Sequence, residues 1–209
     1  MNYTNTDSAL FTWLDYPASA PFVPKFLHFN SKQIALVSTF SAIGAVVRIL
    51  VNNLGSVSPE PVYAVVTKVG LSETLSFVSG FVFGPLAGFI TGFLIILLSD
   101  MASPFGPGAW TPYIASIIGV LGICGGIIRR VHPKPTVTVA LVSGVALTLL
   151  SEFLQNAWVS LTYNIPIEAT MLTGISSLVT AMANNVVLFP TVGLKTITFV
   201  QEHYLKGPA

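Results

Sequence analysis

Long apolar stretches recur along the chain from Ile34 almost to the C-terminus, and short segments rich in Pro, Gly and polar residues separate them. Each stretch approaches the roughly 20 residues that a helix needs to cross a hydrocarbon core of about 30 Å. The stretches lack the alternation, in segments of about ten residues, that is typical of membrane-spanning β-strands. The pattern therefore predicts an all-α, polytopic integral membrane protein.

The number of crossings depends on the stretch 77–110, which the dipeptide Gly84-Pro85 interrupts. Gly relaxes the backbone and Pro cannot continue helical hydrogen bonding, so the dipeptide marks either a kink or a corner. A single kinked helix over residues 74–99 gives five crossings in total, whereas two helices that meet at Gly84-Pro85 give six.

Basic residues discriminate between these alternatives, because cytoplasmic flanks collect Lys and Arg. All the basic clusters lie on one side only if an even number of spans separates each from the next. Six spans meet this condition and place both termini in the cytoplasm. The clusters are Lys25 with Lys32, Arg129 with Arg130 and Lys134, and Lys195 with Lys206. The predicted spans are 34–51, 69–83, 86–101, 112–128, 136–161 and 169–194.

Composition agrees with a membrane protein and excludes several functions. Only 8% of the residues are charged and the mean hydropathy is +0.78, whereas soluble domains carry about 25% charged residues. The net charge of +1 indicates no general attraction for nucleic acid. The single cysteine, Cys124, cannot form an internal disulfide.

The sequence carries no signature of catalysis. No HExxH, GxSxG, CxxC or P-loop pattern occurs. The intramembrane carboxylates Glu73, Asp100 and Glu152 each stand alone in their segments. The three histidines fall in predicted cytoplasmic flanks: His28, His132 and His203. We therefore do not expect an enzyme, and we assign no catalytic residue, cofactor or metal ligand.

Polar and aromatic residues gather toward the predicted outer face. Charges inside a membrane are costly, so Arg48 in span one and Glu152 in span five either pair with each other or face a polar ligand. The tryptophans are either interfacial anchors or rings that sandwich a planar molecule, whose polar groups the amides would orient. The predicted ligand-binding residues are Arg48, Asn52, Tyr63, Trp110, Tyr113, Glu152, Gln155, Asn156, Trp158 and Asn184.

Small residues recur at four-residue intervals in span one. Ser38 is followed by Ala42, and Ser41 by Ala45. This spacing allows another helix to approach closely, which membrane helices need because lipid removes the hydrophobic drive for association. The pairs therefore serve either packing within this protein or docking onto a separate membrane partner.

This layout resembles the substrate-binding S component of an energy-coupling factor (ECF) vitamin transporter. The similarity rests on the small residues of span one, where that family has an Ala-xxx-Ala docking motif, and on a long first loop, residues 52–68. It rests also on the run Gly80-xxx-Gly84-Pro85-xx-Gly88-xxx-Gly92, which ends at Asp100. The resemblance covers residues 34–194.

The resemblance implies a multi-pass subunit embedded in the cell membrane. Such a subunit binds a vitamin or related micronutrient from outside. It implies docking through span one onto a membrane coupling subunit driven by two ATPases. Residues 34–209 then form the six-helix substrate-binding domain, and residues 1–33 form a cytoplasmic or interfacial segment. The outer aromatics suit a flat heterocycle such as a flavin, pterin, deazapurine or corrinoid edge.

Three other functions stay open at this point. A stand-alone secondary carrier or small channel would show a polar through-path or an inverted repeat, and no convincing repeat is visible. An integral-membrane enzyme acting on lipids is disfavoured by the scattered carboxylates. A structural or assembly subunit would use its polar residues only for contacts between helices.

Overall fold

All the regular structure in the described part of the chain is helical. The structure, a computed structural model, describes residue 29 and residues 31–56, 69–103 and 106–205. The helices are α1 (Ser31–Ser56), α2 (Leu71–Phe83), α3 (Pro85–Met101), α4 (Thr111–Val131), α5 (Val137–Tyr163), α6 (Ile167–Thr173), α7 (Ile175–Leu188) and α8 (Leu194–Val200). A π-helical turn, Phe189–Gly193, joins α7 to α8, and a second one, Gln201–Leu205, follows α8.

Four of the described helical stretches are long and apolar enough to cross a membrane. They are Ser31–Asn53, Thr111–Val131, Val137–Tyr163 and Ile175–His203. Two further apolar helices, Leu71–Phe83 and Pro85–Met101, are shorter. The all-α class is confirmed for the described residues, and the apolar helices agree with a membrane bundle. The count of six crossings and the cytoplasmic termini stay predictions.

The predicted break at Gly84-Pro85 is confirmed, and it is a corner. Gly84 has φ 106° and ψ 168°, a backbone conformation that glycine adopts without steric cost. Pro85 then opens α3, where its missing N–H needs no partner. Thr91, after the corner, donates a hydrogen bond of 2.7 Å to Ser79, before the corner. Helices α2 and α3 therefore form an antiparallel hairpin.

Glycines allow α2, α3 and α4 to pack backbone against backbone. A Cβ on Gly80 would lie 1.8 Å from the carbonyl oxygen of Gly122, and a Cβ on Gly88 would lie 2.6 Å from the Cα of Gly80. Ser76 donates a hydrogen bond of 2.8 Å to the carbonyl of Ile118 in the same region. Small residues give membrane helices their closest contacts, so these three helices form the most tightly packed part of the bundle.

Arg129 stabilises the corner from the end of α4. Its side chain is buried, and its Nη1 donates to the carbonyl of Phe81 at 3.0 Å and to the carbonyl of Val82. The last carbonyls of a helix lack helical partners and carry partial negative charge, so a cation there is favourable. Arg129 belongs to a predicted cytoplasmic basic cluster, and the structure gives it this additional structural role.

Helix α5 packs antiparallel against the last helical stretch. A Cβ on Gly144 would lie 3.1 Å from the Phe189 ring and 3.2 Å from the carbonyl oxygen of Asn185. The ring of Phe189 lies 5.1 Å from that of Phe77, which joins this half of the molecule to α2. The predicted continuous span 169–194 is wrong in detail, because Gly174 separates α6 from α7 and the apolar helix continues to His203.

Candidate functional site

Polar side chains line the contact between α5 and α7. The Nδ2 of Asn185 donates to the Oγ1 of Thr148 at 2.8 Å. One turn further along α5, the Oε2 of Glu152 accepts a hydrogen bond of 3.0 Å from the Oγ of Ser177. We call this set of residues the polar seam, and it comprises Thr148, Glu152, Asn156, Thr170, Ser177 and Asn185.

At the Thr148 end of the seam, Asn185 reaches α2, and its side chain is fully buried. Its Nδ2 also donates to the Oε2 of Glu73 at 3.2 Å. Its Oδ1 has no hydrogen-bond partner among the described residues. This oxygen lies against Gly70, where a Cβ would come within 1.7 Å of it, so any larger residue at that position would displace the Asn185 amide. The seam thus contains a buried acceptor that has no donor among the residues the structure describes.

The opposite end of the seam, toward the C-terminus of α5, carries the predicted amide pair Gln155 and Asn156. The Nδ2 of Asn156 donates to the carbonyl of Glu152 at 2.8 Å, and the Nε2 of Gln155 donates to the Oγ of Ser151 at 2.9 Å. The Oγ1 of Thr170 lies 3.4 Å from the carbonyl of Asn156. The structure therefore brings Glu152, Gln155 and Asn156 together, on one turn of α5.

Two of the predicted aromatic residues form a stacked pair between α4 and α5. The rings of Tyr113 and Trp158 lie 5.4 Å apart at 27°. The Tyr113 hydroxyl donates to the carbonyl of Leu154 at 3.0 Å, and Tyr163 meets Trp158 edge-on at 6.2 Å. Trp110 is instead 40% exposed, and its ring lies against Gly108.

The suggested pairing of Arg48 with Glu152 is wrong. The Nη2 of Arg48 lies 3.4 Å from the Oδ1 of Asp100, and the Oδ2 of Asp100 accepts a hydrogen bond of 2.6 Å from Thr111. The physical reason is the packing order, because α1 packs against α3 while α5 packs against α7. Asn52 lies half-buried on α1, one turn beyond Arg48.

The remaining predicted ligand residues have different outcomes. Asn184 is half-buried, whereas its neighbour Asn185 is the one that faces the seam. Tyr63 lies outside the described residues. The sequence does contain a signal for Asn185, because Ser177, Ala181 and Asn185 follow one another at helical spacing on one face. In the described part of the chain, no group of three His, Cys, Asp or Glu side chains could hold a metal ion.

The small residues of α1 lie on two different faces. Ser41 and Ala45 are buried, and Gly44 between them packs against Ile95 so closely that a Cβ would lie 2.6 Å from its Cδ1. Ser38 and Ala42 are exposed. The first pair therefore packs within this protein, and the second pair is available to another molecule.

Comparison with known proteins gives one informative result. A sequence profile of the family described as "ECF-type riboflavin transporter, S component" matches residues 28–194. No curated protein and no solved structure matches the chain. The match covers well over half of the 209 residues, and it includes the Gly84 corner, the seam and both small-residue pairs. The chain belongs to the family of S components of ECF transporters.

Proposed function

We propose that this protein is the high-affinity binding subunit for uptake of riboflavin or a closely related flavin across the cell membrane. Membership of the S-component family makes it a substrate-binding membrane subunit of a transporter rather than an enzyme. The family's description names riboflavin, and the chemistry of the outer helix ends supports that substrate class.

The observation that carries the proposal is the stacked pair of Tyr113 and Trp158. Trp158 follows the amide pair Gln155 and Asn156 on α5. A flavin has a flat tricyclic ring and a flexible polyol chain. Aromatic side chains offer the ring a stacking surface. Amide and carboxylate groups can form hydrogen bonds with the hydroxyls, and Glu152, Gln155 and Asn156 supply such groups from the two turns of α5 before Trp158.

The proposed orientation has six spans, with both termini cytoplasmic. The hairpin at Gly84 then places its corner, with Arg129, on the cytoplasmic side. The end of α3, the start of α4 and the end of α5 lie on the outer side. Arg130 and Lys134, which follow Arg129 in the chain, are exposed and would lie on the same side, in agreement with the preference for cytoplasmic basic residues. In this orientation substrate approaches from outside, where the ends of α4 and α5 carry the stacked rings and the amide side chains.

The energy for uptake comes from partners in this proposal. The chain has no P-loop, so a membrane coupling subunit and two ATPases supply it. We assign docking to the exposed pair Ser38 and Ala42, because Ser41 and Ala45 are occupied by contacts within the bundle. An exposed small-residue pair at four-residue spacing permits close approach of a partner helix.

Titration of riboflavin into the purified protein in lipid nanodiscs tests the proposal. Stacking on Trp158 and Tyr113 predicts saturable quenching of flavin fluorescence at one flavin per protein. Trp158→Leu is expected to weaken binding about 5- to 150-fold, because loss of a stacking contact removes about 1–3 kcal/mol. Phe199→Leu removes an aromatic ring at a 53% exposed position of α8, away from the proposed site; it is the control and is expected to bind as wild type. Absence of saturable binding by the wild-type protein would refute the flavin assignment.

A further inference from the structure

The last apolar helical stretch, 175–203, buries different kinds of side chain before and after its π-helical turn. Above the turn, α7 buries only Ala181 and Asn185. Below the start of the turn, Phe189, Ile197 and Val200 are all buried. The outer part of this stretch, α7, therefore buries one small and one polar side chain, whereas the inner part buries large apolar ones.

The inner attachment is tight apolar packing. The ring of Phe189 lies 5.1 Å from that of Phe77, and a Cβ on Gly193 would lie 3.2 Å from the Cγ2 of Thr74. Lipid tails do not reproduce such interlocked contacts when packed helices separate. The inner part is therefore fixed to α2.

The outer attachment consists of hydrogen bonds that other groups can replace. Asn185 donates to Thr148 and Glu73, and Ser177 donates to Glu152. Water or the hydroxyls of a solute offer bonds of similar quality. When α7 separates from α5, these hydrogen bonds are therefore replaced by bonds to water or to the solute.

Only one of the two polar atoms of the Asn185 side chain stabilises the contact between α7 and its neighbours. Its Nδ2 is bonded, but its buried Oδ1 faces the Cα of Gly70 and has no donor among the described residues. A buried acceptor without a donor destabilises the arrangement that buries it. Separation of α7 from α5 would expose the Oδ1 of Asn185 to water and so remove part of this cost.

The weakest point of the helix lies between these two attachments. The turn Phe189–Gly193 is π-helical and contains Pro190. Proline has no N–H to donate, and helix bends concentrate at prolines and π turns. The turn is therefore placed to act as a hinge for α7.

We propose that α7 is a gate that is hinged at Pro190 and held shut by the bonds of Asn185 to Glu73 and Thr148. Opening swings α7 away from α5 and exposes the polar seam to the incoming solute. The proposal rests on the proposed function only for the identity of that solute. The movement itself takes place without ligand, so it can be measured separately.

Thiol labelling without ligand tests the gate. Cys124→Ser removes the single cysteine, and Ala181→Cys then places one thiol on the buried face of α7. The rate of maleimide labelling of a buried thiol follows the population of the open form. Asn185→Ala and Glu73→Ala are expected to raise this rate at least about fivefold. Pro190→Ala, which restores a helical N–H, is expected to lower it.

Two controls separate a gate from general loosening. Glu168→Ala removes an exposed acidic residue of α6 and is expected to leave the rate unchanged. Ile197→Cys, on the inner side of the hinge, is expected to label at one rate in all backgrounds. Equal acceleration at Ala181→Cys and Ile197→Cys, or no acceleration at Ala181→Cys, would overturn the gate. Failure of wild type to bind riboflavin would refute the flavin assignment and leave the labelling result standing.

Discussion

Replacement of Arg129 by Met should destabilise the bundle through the corner at Gly84. The buried guanidinium donates to the carbonyls of Phe81 and Val82, which close α2. Hydrogen bonds to a charged group contribute about 1.5–3 kcal/mol each. Removing the cation also removes the cost of burying it. The two hydrogen bonds to Phe81 and Val82 outweigh the cost of burying one charge. We therefore expect the free energy of unfolding to fall by about 2–4 kcal/mol.

The matched control is Arg130→Met, because Arg130 is the next residue and is exposed. We expect it to change the free energy of unfolding by less than about 0.5 kcal/mol. Arg129→Lys keeps the charge but has a different donor geometry, so it should recover part of the loss. The assay is steric trapping or SDS titration of the protein in bicelles, followed by circular dichroism. Equal effects of Arg129→Met and Arg130→Met would refute the assigned role of Arg129.

Two further predictions concern packing. Gly122→Val should cost at least about 3 kcal/mol in the same unfolding assay, because a Cβ there would lie 2.3 Å from the backbone of Gly88; a stable variant would contradict the close approach of α3 and α4. Ala42→Trp should abolish co-purification with a coupling subunit while leaving riboflavin affinity unchanged, whereas Val142→Trp, at a 63% exposed position of α5, should assemble normally. Normal assembly of Ala42→Trp would exclude its face of α1 as the docking surface.

The sequence predicts the helical class and the corner because both depend on local chemistry. Apolar length identifies the membrane helices, and Gly84-Pro85 combines a residue tolerant of positive φ with one suited to a helix start. The glycines of α2 to α4 likewise predict close packing. The π-helical turn at Pro190 is not visible in the same way, because proline in a membrane helix is equally compatible with a simple kink.

The sequence predicts the site less completely, because pairing between helices depends on their order in space. Depth along the membrane suggests Arg48 with Glu152, but the neighbour of α1 is α3, which supplies Asp100. Asn184 and Asn185 are adjacent in sequence, and only the rotation of α7 decides which of them faces the seam. The same applies to α1, whose rotation buries Ser41 and exposes Ser38.

The most direct test of the account is the affinity of riboflavin for seam variants of the purified protein in nanodiscs. We expect wild type to bind at one site. Glu152→Ala should bind at least about tenfold more weakly, since a hydrogen bond to a charged group contributes about 1.5–3 kcal/mol, and Asn156→Ala about 2- to 13-fold more weakly, since a neutral bond contributes about 0.5–1.5 kcal/mol. Glu168→Ala should bind as wild type, and all variants should keep their helical circular dichroism. Wild-type affinity in both Glu152→Ala and Asn156→Ala would contradict the claim that the polar seam binds the flavin.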